Sequence, residues 1–417
     1  VLRCNWRRVG AALMLPPPGM RTEQPAPLSR RGPRPLLLHL TLAVMRPGGF
    51  MSALPSWNLA FQHLSGSEAA SPSDPERLKQ AFETAASQDR DLIAGIAAYR
   101  RDPYYRNFEE PPLLWAEAET RLLDFGRPPA SGQGPAVLFV PSLINRAYIL
   151  DLMPDASMLR WLAGHGVRPY LLDWGWPGET ERKFTLTDYV AGRLERAIAK
   201  IPGPITLAGY CMGGLLALAA ALRQPEKIQA LALLATPWDF QAASPAQAKS
   251  LSDTLPMLEP MMQFSGTLPI DALQTLFTMI DPFGVGEKYR SFARADKSSL
   301  RARRFVAMED WLADGVPLAA PVAREAIGGW YGGNNPAHGN WRIAGLAVEP
   351  TAFAGPVFCA IPARDRLVPP ESARPLANSF KNATIIEPDT GHIGMIAGTN
   401  AKDALWQPFA NWLHGLT

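Results

Sequence analysis

An α/β fold, with a mostly parallel sheet flanked by helices, is predicted by three features of this 417-residue chain. Short apolar runs that do not alternate recur from Gly134 onward, among them "PAVLFVPSL", "VRPYLLDWGWP", "PITLAGY", "IQALALLATPWD" and "GPVFCAIPA". Strands of that texture are buried on both faces, as in a parallel sheet covered by helices. Segments of helical spacing, such as "DASMLRWLAGHG" and "LTDYVAGRLERAIAKI", fall between them and supply the covering layers. With 47% hydrophobic and 19% charged residues, the chain can bury the core such a sheet requires, as one large domain or two smaller ones.

Taken from the N-terminus, residues 1–75 read as an arm and linker without fixed structure. Residues 1–50 hold eight arginines, no lysine and one acid. The apolar run from Leu36 to Met45 is about half the length a bilayer span needs, so no transmembrane segment is expected. It is not terminal and no small-residue cleavage site follows it. The arm therefore reads as unstructured or as translated from upstream of the natural start, with Met45 or Met51 the better starts; targeting or a weak membrane contact is the alternative. "SGSEAASPSDPE", rich in Ser, Pro and acids, is the linker. Residues 76–133 are a helical segment, because "PERLKQAFETAASQDRDLIAGIAAYRRDP" spaces its apolar residues as one helix or a helix pair and stops at Pro103.

Residues 134–240 and 353–417 form the α/β core, and residues 241–352, where the strand–helix alternation stops, form a helical cap over the sheet's carboxyl edge. Met257, Met261, Met262, Phe264, Phe277, Met279, Phe283, Trp311, Trp330 and Tyr331 are spread through that cap. They either line an apolar pocket or form the cap's own core.

Charge and cysteine usage narrow the function classes. The basic excess sits in the arm and leaves the rest mildly acidic, so there is no electrostatic footprint for nucleic acid. Cys4, Cys211 and Cys359 lie far apart without CxxC spacing, which argues against a disulfide framework or a zinc site and for a reducing, cytoplasmic location. No P-loop, GxGxxG turn, HExxH or EF-hand pattern is present, so no metal and no bound cofactor are expected.

The chemistry concentrates at "GYCMG", where a strand meets the helix "GGLLALAAALRQ". This is the Gly-x-nucleophile-x-Gly elbow with Cys211 as the nucleophile. Gly209 and Gly213 let strand and helix cross closely, and the adjoining helix N-terminus favours a negative sulfur. Cys359, inside "GPVFCAI", reads instead as a buried structural thiol. An elbow nucleophile takes its acid and then its histidine from later loops. Of the six histidines, His39 and His63 lie in or near the arm. His165 is on a turn at the wrong end of the fold, His338 is in a cap loop and His414 is in a terminal helix. His392, in "PDTGHIGM" after the last strand, is the candidate base, and Asp365, in "ARDRLVPP" after the preceding strand, is the acid that orients it. The cap is thus inserted before the acid strand. The oxyanion hole is expected from the backbone N–H of Met212 and one from "PSLINR", that of Leu143 or Ile144.

The segments "PSLINRAYILDLMPDASMLRWLAGHGVRPYLLDWGWP", "LAGYCMGG", "ARDRLVPP" and "TGHIGM", with "DPFGVGEKY" and "RFVAMEDWLADG" in the cap, resemble the catalytic subunit of polyhydroxyalkanoate synthases, most closely the short two-component class III type. The resemblance covers about residues 90 to 416 and implies an α/β-hydrolase fold. It implies that Cys211 forms a thioester with the acyl group of an (R)-3-hydroxyacyl-CoA, that His392 is the base and Asp365 its partner, and that Asn145, Tyr148 and Asp151 shape the floor of the site. It further implies CoA thioester as substrate rather than cofactor, a second synthase subunit or a homodimer as partner, and a location on polymer granules. Arg366 stands where the family usually carries His. Two alternatives stay open: a cysteine esterase or acyl-CoA thioesterase on the same fold, distinguished by its product, and a non-catalytic granule-associated homologue, distinguished by the absence of Cys211 acylation.

Overall fold

The computed structural model describes residues 30–46, 75–126 and 134–416. Its main sheet comprises β1 (Leu113–Glu117), β2 (Thr120–Asp124), β3 (Ala136–Val140), β4 (Arg168–Asp173), β5 (Ile205–Tyr210), β6 (Ile228–Leu234), β7 (Val357–Ala360) and β8 (Ala383–Ile386). Their spatial order is β1-β2-β4-β3-β5-β6-β7-β8. β2 runs antiparallel to β1 and β4, and every other neighbour pair is parallel.

The unalternating apolar runs are explained by the two cores this sheet separates. Leu138, Leu207, Leu231 and Cys359 belong to one hydrophobic cluster, while their chain neighbours Phe139, Ala208, Ala232 and Phe358 belong to the other. Successive side chains of a strand point to opposite faces, so a strand covered on both sides must be apolar at every position.

The helices are α1 (Leu36–Met45), α2 (Pro75–Arg101), α3 (Met158–Gly164), α4 (Glu195–Ile198) and α5 (Met212–Arg223). Between β6 and β7 the cap contributes α6 (Pro245–Ser252), α7 (Leu255–Ser265), α8 (Ile270–Thr278), α9 (Gly284–Arg294), α10 (Leu300–Ala313) and α11 (Ala320–Arg324), the last continued by a π-helical stretch, Glu325–Gly332. α12 (Pro370–Ser379), α13 (His392–Ala397) and α14 (Gln407–His414) complete the core.

Two expectations are corrected. Within the stretch expected to lack fixed structure, residues 30–46 carry α1, whose Leu36, Leu40 and Ala43 join Leu92 and Ile96 of α2 and Tyr289 of α9 in a third hydrophobic cluster. Its arginines find carboxylates, Arg30 with Asp310 at 2.8 Å and Arg46 with Asp89 at 2.6 Å. The remainder of that arm, with Met51 and the linker up to residue 74, lies outside the described residues. The segment expected to be helical, residues 76–133 with the helix stopping at Pro103, holds one 27-residue helix, α2, and then the hairpin β1–β2, which turns at Ala118 with φ 50°. β1 is an edge strand with Leu113 and Leu114 exposed, so it lacks the continuous apolar run that marks the central strands.

Candidate active site

The end of β5 and the start of α5 place Cys211. Its φ of 56° and ψ of −128° put a non-glycine residue in the sparsely populated positive-φ region, a strain held by its surroundings. The Cys211 N–H donates to the Leu234 carbonyl at 2.8 Å, and the Gly214 N–H returns to the Cys211 carbonyl at 2.9 Å. Glycine is required around it because a Cβ on Gly209 would lie 2.3 Å from the Gly214 Cα, and one on Gly213 would lie 2.0 Å from the Val140 carbonyl oxygen. The crossing of strand and helix is therefore close enough to exclude even a methyl group.

Asp365 and His392 stand on neighbouring loops stitched together by their backbones. Ala363 donates to the Pro388 carbonyl and Arg364 to that of Thr390, each at 2.9 Å. Asp365 Oδ1 accepts the N–H groups of Leu367 and Val368, both at 2.9 Å, which leaves Oδ2 to accept from His392 Nδ1 at 2.6 Å. His392 opens α13 and pairs on its other side with Cys211. Burial works against a charge on the imidazole, but the Cys211 and Asp365 charges and hydrogen bonds outweigh it and hold the pKa at about 10. Tyr210 packs its ring 5.0 Å from that imidazole and donates its hydroxyl to the His392 carbonyl at 3.2 Å. Burial, then the Cys211 and Asp365 charges, push the Tyr210 phenol well above its usual range.

Cys211 and His392 line a cavity of about 580 Å³. The cap's apolar residues divide between the two roles expected for them and a third. Phe277, Trp311, Trp330 and Tyr331 line the cavity, Met262 is core, and Met257, Met261, Phe264 and Met279 are exposed. Tyr331 lines the cavity with Cys211, and burial, then the Cys211 charge, push its phenol up to about 12. Cys359 is buried and its thiol is pushed up to about 12 by that burial.

Asn145 lines the cavity and bridges to Gly315 of the cap. Tyr148 and Asp151 are absent from the cavity wall, a departure from their expected place in its floor. Asp151 is 1% exposed and is consumed by a brace, accepting from Ser157 Oγ at 2.6 Å, Arg160 Nε at 2.8 Å and the Arg106 guanidinium at 2.9 Å. Tyr148 stands under the same Arg106, 5.1 Å from its ring centroid, and bonds to Asp314. Met212 is the first residue of α5, and the opening N–H groups of a helix have no intrahelical acceptor. Ile144 lines the cavity with its N–H on Ser142 Oγ at 3.2 Å, while Leu143 is packed into the core.

Several cavity residues escaped the sequence reading. Tyr210 is the variable position of the elbow itself. Phe240 follows "TPWD" and stacks on Trp330 at 5.5 Å; its N–H is held by Asn334 Oδ1 at 3.0 Å, and Asn334 in turn donates to Asp239 at 2.9 Å. The loop "GGNNPAHGNW" thus carries a buried tie whose only signal was its asparagines. Arg34 and His39, set aside with the arm, also line the cavity.

A family model described as alpha/beta hydrolase fold matches residues 135–399. Among curated relatives, the poly(3-hydroxyalkanoate) polymerase subunit PhaC of Haloferax mediterranei is 28% identical, over 72% of this chain and 63% of that protein. The subunit of the same name from Allochromatium vinosum is 27% identical over 72% and 87% of the two chains, and that from Haloarcula marismortui 29% identical over 72% and 64%. The matched region spans just under two thirds of the Haloferax and Haloarcula proteins. Among the described residues no helix is long and apolar enough to cross a membrane. With its sheet order, elbow and loop-borne acid and histidine, and with a family match over more than half its length, the chain belongs to the alpha/beta hydrolase fold family and is a relative of poly(3-hydroxyalkanoate) polymerase subunits.

Proposed function

We propose that the chain is an acyltransferase that polymerises (R)-3-hydroxyacyl groups from their CoA thioesters through a thioester on Cys211. The observation that carries this reading is His392, held between the Asp365 carboxylate and a cysteine at the elbow. The names of the curated relatives support the polymer as product.

Cys211 sulfur attacks the thioester carbonyl, the carbon–sulfur bond to CoA breaks, and His392 gives its proton to the departing CoA sulfur. A 3-hydroxyl then attacks the Cys211 acyl carbon, His392 takes its proton, and an ester forms as the sulfur is released. Exchange from sulfur to sulfur is nearly isoenergetic and transfer to oxygen runs downhill, so neither step needs ATP or a bound cofactor. Asp365 fixes the imidazole's orientation and stabilises its charged form. The oxyanion falls to the Met212 N–H and to that of Leu143 or Ile144; Ile144 serves only by releasing Ser142 Oγ. The relatives are named as subunits, which supports a partner chain or a second copy, and the exposed row Met257, Met261 and Phe264 on α7 is consistent with one.

The test is to mix purified protein with (R)-3-hydroxybutyryl-CoA, follow CoA release and identify the acyl product. Polymer is expected, and Cys211→Ala should lose it by about a thousandfold or more while remaining folded. Free 3-hydroxybutyrate alone would make the protein a thioesterase, and neither CoA release nor acylation of Cys211 would make it a non-catalytic homologue.

A further inference from the structure

One wall of the Cys211 cavity comes from outside both the core and the cap. Gly32, Pro33, Arg34 and His39 line it, facing the same space as Trp311 and Leu312 of α10. The segment is fastened by two arginines. Arg30 donates through Nε to Asp310 at 2.8 Å and through its other nitrogens to the carbonyls of Asp102 and Tyr104, and Asp310 also accepts the Tyr99 hydroxyl at 2.9 Å. Arg34 reaches Asp271, in the first turn of α8, at 2.9 Å and the Ala313 carbonyl, at the end of α10, at 3.1 Å. His39, 4% exposed, donates from Nε2 to the Arg34 carbonyl at 3.1 Å and fixes the turn between the second clamp and α1. Apolar seating is confined to one side of α1, whose Leu37 is 76% exposed.

A wall held by one part-buried and one exposed ion pair, with apolar seating on one side of α1 alone, opens at lower cost than one built into a core. We propose that residues 30–39 form a strap that completes the acyl-binding side of the cavity, and that the Arg30 and Arg34 clamps set how large a group reaches Cys211. The identity of that group rests on the acyl-transfer reading; the control of access does not. The strap residues act by shaping the cavity and are positioning residues.

The test uses the full chain and measures the rate of Cys211 modification, by peptide mass spectrometry, with iodoacetamide and with a bulky aryl maleimide. In the Arg30→Ala/Arg34→Ala variant the maleimide rate should rise about tenfold, the shift expected when such clamps leave a two-state opening, with the iodoacetamide rate within about twofold of wild type. Asp271→Asn, which removes the exposed partner of Arg34 and leaves the fold's interior untouched, should move the same ratio in the same direction. Arg31→Ala, on an exposed side chain, should not. The double variant's kcat/KM for (R)-3-hydroxyoctanoyl-CoA should rise relative to that for the hydroxybutyryl thioester. An unchanged maleimide-to-iodoacetamide ratio in both folded clamp variants overturns the strap. A raised ratio in a protein that turns over neither thioester keeps the strap and removes the acyltransferase reading.

Discussion

At the level of single residues, the charge relation among Cys211, His392 and Asp365 has a consequence for stability. The folded pKa of His392, about 10, lies above the 6.5 of a free imidazole, so the native state binds a proton that the unfolded state releases between those values. The stabilisation is full below pH 6.5 and is lost as pH rises through about 10. Urea midpoints of wild type measured against His392→Gln should therefore converge between pH 7 and 9.5, with the wild-type advantage largest at the acid end. An advantage that grows with pH would show that the imidazole is not held charged. Cys211→Ala removes one source of the raised pKa and should shift the convergence to lower pH. The meeting of these three side chains was legible because each follows a recognisable apolar strand. Tyr148 and Asp151 were misplaced because a motif reports neighbours along the chain, whereas Arg106 and Arg160, which capture Asp151, reach it only in the fold.

At the level of elements, the crossing of β5 and α5 leaves no room for a side chain at its glycines. A methyl on Gly213 meets the Val140 carbonyl oxygen at 2.0 Å and the Pro141 carbonyl carbon at 2.7 Å, both backbone atoms that cannot rotate away. Gly213→Ala should cost about 3 kcal/mol in chemical denaturation, as overpacking against main chain does. Gly164→Ala, at the end of α3 where a Cβ meets nothing within 4 Å, should be neutral or gain up to ~1 kcal/mol. Equal effects at the two positions would mean that the elbow glycine is not sterically required. The central strands could be read directly, since burial on both faces leaves no polar position to confuse the period. The β1–β2 hairpin could not, because an edge strand with Trp115 between exposed leucines and acids has neither a helical nor a continuous apolar signature.

For the molecule as a whole, the site joins pieces that no local pattern connects. The loop after β3 is tied to the cap by the Val316 N–H on the Ile144 carbonyl at 2.7 Å, the cap is tied to the loop after β6 through Asn334, and the arm is tied to the cap through Arg30 and Arg34. Such contacts span tens to hundreds of residues and carry no periodicity, which is why the cap's position was legible and its lining was not. Phe240 sits at the second of these ties, between Trp330 at 5.5 Å and Tyr331 at 4.9 Å, and lines the same cavity as Cys211. A thioester survives to meet a hydroxyl only if water is kept from it, and an aromatic wall does that by filling the space water would occupy. Phe240→Ala should therefore leave Cys211 acylation within a few-fold of wild type while the share of acyl groups recovered as free hydroxy acid rises several-fold at the expense of polymer. The ratio of the two products, measured in one reaction, isolates this effect from any loss of folded protein, because unfolded chains contribute to neither. An unchanged ratio would move the exclusion of water away from the cap's aromatic wall and onto the loops of the core.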